Sequence, residues 1–295
     1  MKIFFPSSYI NKQNVDEEFQ KEYDSALLAG FDIVLFDQEK WDTEKIVSFI
    51  CNQIDQVFPY KKEEAIYRGW MMKPKNYEDF YAQLCGKGFH LCTSPDEYNR
   101  LHLFKNSYSL VKEDAPKTIF FENINELDLN VLNKELGKFM IKDFVKSVKG
   151  TDFPKYFNHP TNDEFSFWMQ KFMEYRGHLF TGGIQAKEYL DLAYYGSSTN
   201  EYRVFYAEGN PISISRNSNQ PSFTKDLPIL LIDKYKNLPS PFYTVDFIEC
   251  KDGTFKVIET GDGGVSGLSP MQDNNSFFRS LYYALGEEKD LELDL

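Results

Sequence analysis

Cysteine is scarce in this 295-residue chain, with four residues scattered at Cys51, Cys85, Cys92 and Cys250. None shows zinc-type spacing with the four histidines, so no disulfide framework or zinc knuckle is expected, and the thiols read as reduced and buried. Long apolar runs are missing too, and nothing approaches the ~20 residues of a membrane span. The opening Met1–Ser8 is too short an apolar run for a secretory leader, so a cytoplasmic location is expected. Positive charge is in deficit: 33 Lys and Arg against 45 Asp and Glu give a net charge of −12. That balance argues against a general nucleic-acid surface, which needs clustered cations, although a local basic patch at 134–155 remains. Neither Ser-His-Asp nor Cys-His nucleophile machinery is recognisable, and no internal repeat appears. Aromatics, by contrast, are plentiful (27 Phe, 19 Tyr), so aromatic stripes read as core. The remaining composition, 42% hydrophobic and 26% charged, is that of a globular protein with ample core.

The most informative stretch is Phe242–Gly261. Two strand-like runs flank Asp252-Gly253, a dipeptide that favours a two-residue type I′ turn. Lys251 then faces Thr254, and counting outward puts Asp246 opposite Glu259. Like charges directly across a ladder are destabilising. Either a bound cation compensates them, with all-oxygen ligation suiting magnesium, manganese or calcium, or water screens a solvated hairpin. A second hairpin is expected to turn at Gly209-Asn210, which places Arg203 opposite Arg216. Two adjacent guanidiniums suit a phosphate or carboxylate, or else Glu201 partly neutralises them.

Around these pairs the first third of the chain alternates strand (2–5, 32–36, 65–72, 88–92) and helix (15–29, 44–57, 76–85), which predicts a mainly parallel sheet. A segment of weak pattern, 104–115, precedes a strand at 118–122 and a helix at 125–136. Beyond it lie a lysine-rich strand-like stretch (138–149), a helix (162–175), strands at 179–193, 201–207 and 211–216, and helices at 227–237 and 274–285. The acidic end from 287 reads as a frayed tail. Lys142, Lys146 and Lys149 surround a polar turn where ammonium groups can meet phosphates. A cation site, an anion site and a lysine strand together suggest a nucleoside triphosphate with its metal.

Four motifs in order resemble the ATP-grasp superfamily: Phe139-Met-Ile-Lys142 through Gly150, Ile184-Gln-Ala-Lys187-Glu188-Tyr189-Leu190-Asp191, Glu201-Tyr-Arg203, and Val245-Asp246 with Ile258-Glu259. The resemblance spans roughly residues 118–285, and the Tyr67-Arg68-Gly69-Trp70 and Glu259-Thr-Gly-Asp-Gly-Gly stretches are similar to a clade labelled R-two-K. It implies a mixed α/β and α+β chain. An N-terminal α/β lobe (1–117) would precede two α+β subdomains (118–295, dividing near 193–200) that sandwich ATP. It further implies an Mg2+-dependent (or Mn2+-dependent) ligase that joins a small-molecule or peptide carboxylate to an amine through an acyl phosphate. By the same resemblance Asp246, Glu259 and Asp262 hold the metal, with Gly261 standing where the family usually has asparagine. Lys142, Lys146 and Lys149 neutralise phosphates, while Lys187, Glu188, Tyr189, Leu190 and Asp191 line the nucleoside pocket. Arg203 and Arg216 grip the transferred group.

Arg68, Trp70 and His102 are candidates on the substrate side. For each a structural role is the alternative: an ion-pair partner, a core ring and a hydrogen-bonded imidazole. Gly261, Gly263, Gly264 and Gly267 match no phosphate-binding fingerprint and read either as a tight turn or as a loop serving the metal. Rival activities are a phosphotransferase without ligation and a nucleotide-binding sensor without turnover. The sequence is silent on oligomeric state.

Overall fold

The computed structural model describes residues 1–50, 62–148, 150–216 and 220–286. Its N-terminal layer is a parallel sheet of β1 (Lys2–Pro6), β2 (Asp32–Phe36), β3 (Glu63–Tyr67) and β4 (Phe89–Leu91), in the order β2-β1-β3-β4. Parallel neighbours require crossovers. The helices α1 (Gln20–Ala29), α2 (Gln38–Glu44) and α3 (Pro74–Gly86) lie on them. Gly30 ends α1 in the left-handed region at φ 98°, as a helix C-terminal glycine does.

The helix expected over 44–57 is not formed at 45–50. Asp37 instead caps α2 earlier, accepting from the Lys40 N–H, and Lys45 stops it with φ 59°; residues 51–57 lie outside the described residues. Next, α4 (Pro95–His102), opened by a Ser94/Glu97 capping box, runs almost directly into α5 (Phe104–Val111), so the stretch of weak pattern is helical over 104–111.

A second, antiparallel sheet contains β5 (Thr118–Phe121), β6 (Lys138–Asp143), β7 (Phe157–Asn158) and β8 (Ile184–Glu188), ordered β5-β8-β6-β7. The helices α6 (Leu129–Glu135) and α7 (Asn162–Arg176) cover it through Leu132, Phe165, Met169 and Phe172. After a two-stranded ribbon, β9 (Tyr194–Tyr195) and β10 (Ser198–Thr199), the third sheet holds β11 (Glu201–Ala207), β12 (Asn210–Arg216), β13 (Phe242–Glu249) and β14 (Phe255–Asp262). Its order is β12-β11-β13-β14, and a short α8 (Ile229–Lys234) packs on it. The last helix, α9 (Asn274–Leu285), returns to the N-terminal layer. There Phe277, Phe278 and Leu281 join Ile3, Phe5, Phe205 and Phe242 in one core. The first and third sheets are thereby fastened together, with α4 and α5 against β14.

The lysine-rich strand stops at Asp143, because that fully buried carboxylate turns the chain. It accepts the Val145 N–H at 2.8 Å and is paired with Arg176 Nη2 at 2.7 Å. A carboxylate stripped of water needs such partners, and losing one costs more than the pair contributes. Arg176→Met should therefore lower unfolding free energy by about 3 kcal/mol in urea titrations. A loss under about 1 kcal/mol, the value of an exposed pair, contradicts the assignment.

Candidate functional site

Asp246 and Glu259 are direct cross-strand partners, but by a route the Asp-Gly turn did not foretell. The hairpin has no type I′ turn, since only Gly253 is left-handed (φ 82°) and Cys250 N–H bonds Thr254 O across a three-residue loop. Lys251 is therefore not opposite Thr254, and the ladder begins one residue out of the expected register, at Glu249 with Phe255. A bulge then pairs Phe247 with Val257 and Asp246 with Glu259, leaving Ile258 unpaired in the ladder. The two deviations cancel. The freed Ile258 carbonyl accepts the Lys187 ammonium at 2.6 Å.

On its other side Asp246 is paired with Arg203 of β11, so Arg203, Asp246 and Glu259 form a row across three strands. Arg203 Nε and Nη2 reach the two Asp246 oxygens at 2.8 and 2.6 Å, a bidentate fork, while Nη1 donates to Gly267 O at 2.9 Å. Burial works against the Arg203 charge, but the Asp246 carboxylate outweighs it and raises its pKa. From the second sheet Lys142 Nζ stands 3.4 Å from Glu259. Lys142 pairs with Gln185 and Lys187 with Met140, so the two lysines are diagonal neighbours on one face of β6 and β8. Lys187 is 3% exposed and lies 3.4 Å above the Phe104 ring. Burial, then Lys142, pushes its pKa well below the usual lysine range, with Glu259 and Asp246 opposing. Burial disfavours the Glu259 charge as well, yet Lys142, Lys187, Lys146 and Arg203 hold its carboxyl down to about 2.

The bland alternative of a solvated hairpin is thus replaced by an interlocked cluster of opposite charges. Neutralising Asp246 would strip the Arg203 guanidinium of its partner and lower stability. The donor chemistry fits a divalent cation: two adjacent carboxylates, with phosphate oxygens free to supply further ligands.

The other expected residues divide. Lys146 backbone follows the Asp143 turn, and its side chain borders the acids; Lys149 lies outside the described residues. Glu188 is exposed at the end of β8 and accepts the Lys117 N–H at 3.1 Å; Tyr189 lies under the Lys138 ammonium at 3.5 Å. Leu190 is half-buried, and Asp191 faces an open groove with Lys251 and Lys256.

Arg216 is misplaced in the expectation. The turn falls at Glu208-Gly209, both with positive φ, rather than at Gly209-Asn210, and the bulge at Phe205/Tyr206 takes back only part of that shift, so Arg216 pairs with Tyr202, not Arg203, and adjacent strand residues face opposite ways. It stacks 5.3 Å from the Tyr202 ring and donates to Asp226 at 2.6 Å.

Asp262 is displaced for the same reason. Three residues beyond Glu259, it faces the reverse side of β14, 2% exposed, where its charge is felt by Tyr67, Tyr77 and Tyr98. It cannot complete a metal site with Asp246 and Glu259.

Arg68 is 1% exposed and points into protein rather than a cleft. Its guanidinium grips Glu22 (2.9 Å) and the carbonyls of Gly263 (2.9 Å) and Ser266 (2.6 Å), making the ion-pair reading the correct one. Trp70 is not core either. It is 43% exposed, edge-on to Phe19, and bonded to Asp16 at 3.1 Å. His102 stacks on Tyr98 and borders the same depression as Asp246 and Glu259. Burial, then Lys146, lowers its pKa to about 4, and Nε2 has no hydrogen-bond partner. The expected hydrogen-bonded imidazole is absent on that side.

Sequence reasoning missed Thr244 and Ser266, whose hydroxyls also border the acids. Only the strand parity of Thr244 with Asp246 signalled it.

Three sheets flanking an acid–base row of this layout define the class: the fold is ATP-grasp. A solved structure of the ATP-grasp ligase PsnB with its minimal precursor superposes with TM-score 0.60 at 12% identity, covering 96% of this chain and 98% of that one. D-alanine–D-alanine ligase from Bacillus anthracis with ATP gives 0.60 at 14%, covering 97% and 95%. N5-carboxyaminoimidazole synthetase from Staphylococcus aureus with ADP gives 0.61 at 14%, covering 97% and 78%. No curated protein matches in sequence. The family model "ATP-grasp domain, R2K clade family 3" matches residues 130–281, and the chain belongs to that family.

The position of Asp262 predicts an unusual pH dependence. Burial raises its carboxyl to about 7 against the Gly264 N–H, which bonds Oδ1 at 2.9 Å. The folded protein binds this proton more tightly than the unfolded chain. Its stabilising contribution is present below about pH 4 and is lost as pH rises through about 7. Asp262→Asn should flatten that decline, raising Tm at pH 8 more than at pH 5. Equal shifts at both values would contradict a protonated Asp262.

Proposed function

We propose that this protein is an ATP-dependent ligase that joins a carboxylate to an amine through an acyl phosphate. The observation behind this reading is the row Arg203–Asp246–Glu259 faced by Lys142 and Lys187. Two acids and three basic side chains on two opposed sheets suit a polyphosphate with its cation. Asp246 and Glu259 would hold magnesium or manganese, which when bound neutralises β- and γ-phosphate charge. Lys142 and Lys187 would neutralise phosphate oxygens. Lys187, disfavoured as a buried cation beside Lys142, gains most when an anion arrives. Arg203 stands where charge develops on the transferred group. The residues Glu188–Asp191 would line the nucleoside.

In the first step the substrate carboxylate oxygen bonds the γ-phosphorus and ADP leaves. In the second the amine attacks the acyl carbon, phosphate leaves with the C–O electron pair, and the amine loses a proton. Both steps demand positioning and charge neutralisation rather than a protein nucleophile, which agrees with the missing nucleophile machinery. No helix among the described residues is long and apolar enough to cross a membrane. The substrates would meet at the depression bordered by Met71, His102 and Val265, between the first and third sheets.

The test is a screen of acids and amines read by ADP release and product mass. ADP release should require both substrates, and Lys187→Met should reduce it by about a hundredfold or more. ADP formed without any amine, with a phosphorylated acid as final product, would make the protein a phosphotransferase instead.

A further inference from the structure

Four oxygen-bearing side chains meet at one end of the β13–β14 hairpin, and two of them have no part in the reading above. Thr244 pairs with Gly261, the next pair on the same face as Asp246–Glu259, so its hydroxyl shares the face of both carboxylates. Ser266 arrives from the loop after β14. Its Oγ lies 2.9 Å from Thr244 Oγ1 and donates to the Asp262 carbonyl at 2.7 Å.

The two hydroxyls occupy the space over Gly261. A Cβ at that position would stand 2.8 Å from Ser266 Oγ and 2.9 Å from Thr244 Oγ1, closer than such atoms approach. Gly261 is not left-handed, so the hydroxyls rather than the backbone demand glycine there. Ser266 is fixed from its other end as well. Its carbonyl is gripped by Arg68 Nη1 at 2.6 Å, and Arg68 is locked by Glu22. A serine so confined has lost its rotamer freedom before any ligand arrives, which is how a donor set is preorganised.

Thr244, Ser266, Asp246 and Glu259 border one depression. Among the described residues no group of three or more His, Cys, Asp or Glu is placed to hold a metal ion. A hard divalent cation prefers about six oxygen ligands, and serine or threonine hydroxyls serve as such ligands in other phosphate sites. We propose that Ser266, seated over Gly261 beside Thr244 and positioned by Arg68, is an oxygen donor to the divalent cation held by Asp246 and Glu259. This rests on the metal–nucleotide reading proposed above.

The test measures Mn2+ binding to the full chain in the presence of ADP, by loss of the free-ion EPR signal, and Cd2+ binding by competition. Ser266→Ala should weaken Mn2+ about tenfold. Ser266→Cys should also weaken Mn2+ but tighten Cd2+ relative to the wild type, because a thiol donor is soft. A residue that merely shapes the loop would not exchange metal preference. Wild-type Mn2+ affinity in Ser266→Ala, or no Cd2+ gain in Ser266→Cys, overturns the proposal. Asp246→Asn and Glu259→Gln separate the two levels. If neither weakens Mn2+, the metal reading itself fails; if they do and Ser266→Ala does not, only the role of Ser266 fails.

Discussion

Two carboxylates side by side on neighbouring strands repel each other, and the arrangement around Asp246 and Glu259 depends on the cations that offset this. Arg203 takes Asp246 from the same sheet with a bidentate fork, and Lys142 approaches Glu259 from the opposite one. Between two charges about 4 Å apart the Coulomb term is worth several kcal/mol at a protein surface, far more than an exposed ion pair in water. The ladder, the bulge and the two lysine positions all fit this one requirement. The cluster is also asymmetric. Burial, then Lys142, disfavours the Lys187 charge despite Glu259 and Asp246, so an added anion is welcome beside it.

How much of this was legible in the sequence depends on parity and on bulges. The Asp246–Glu259 pair could be counted outward from Asp252-Gly253, yet the count succeeded only because a three-residue loop and the bulge at Ile258 cancel. The same counting failed for Arg216, because the turn falls at Glu208-Gly209 and the bulge at Phe205/Tyr206 cancels only part of that shift. Nothing in the local composition announces either bulge. Asp262 was a different kind of miss. An odd offset from Glu259 puts it on the reverse face, because β14 stays regular through Gly261 to Asp262. The Asp143–Arg176 pair and the grip of Arg68 on Glu22 join residues far apart in sequence, and no local pattern marks them.

The N-terminal layer is more than a neighbour of the charged row. Arg68, at the end of β3, holds the carbonyls of the loop that follows β14, and Gly69 N–H bonds Gly264 O at 3.1 Å. The loop beside the acids is thereby referenced to the first sheet as well as the third. Cβ atoms at Gly263 and Gly264 would collide with the Phe242 ring and the Tyr67 carbonyl, so the glycine cluster is a close-packed seam. His102, neutral at ordinary pH with Nε2 unpartnered, borders the same depression and keeps one wall of it polar but uncharged.

The most direct measurement is a crystal structure grown with Mn2+ and a non-hydrolysable ATP analogue, with the metal located by its anomalous signal. The account predicts the ion between Asp246 and Glu259, with Lys142 and Lys187 turned to the phosphates and Lys142 no longer bonded to Glu259. A metal bound away from both acids, or phosphates seated outside the cleft between β6–β8 and β11–β14, would contradict it.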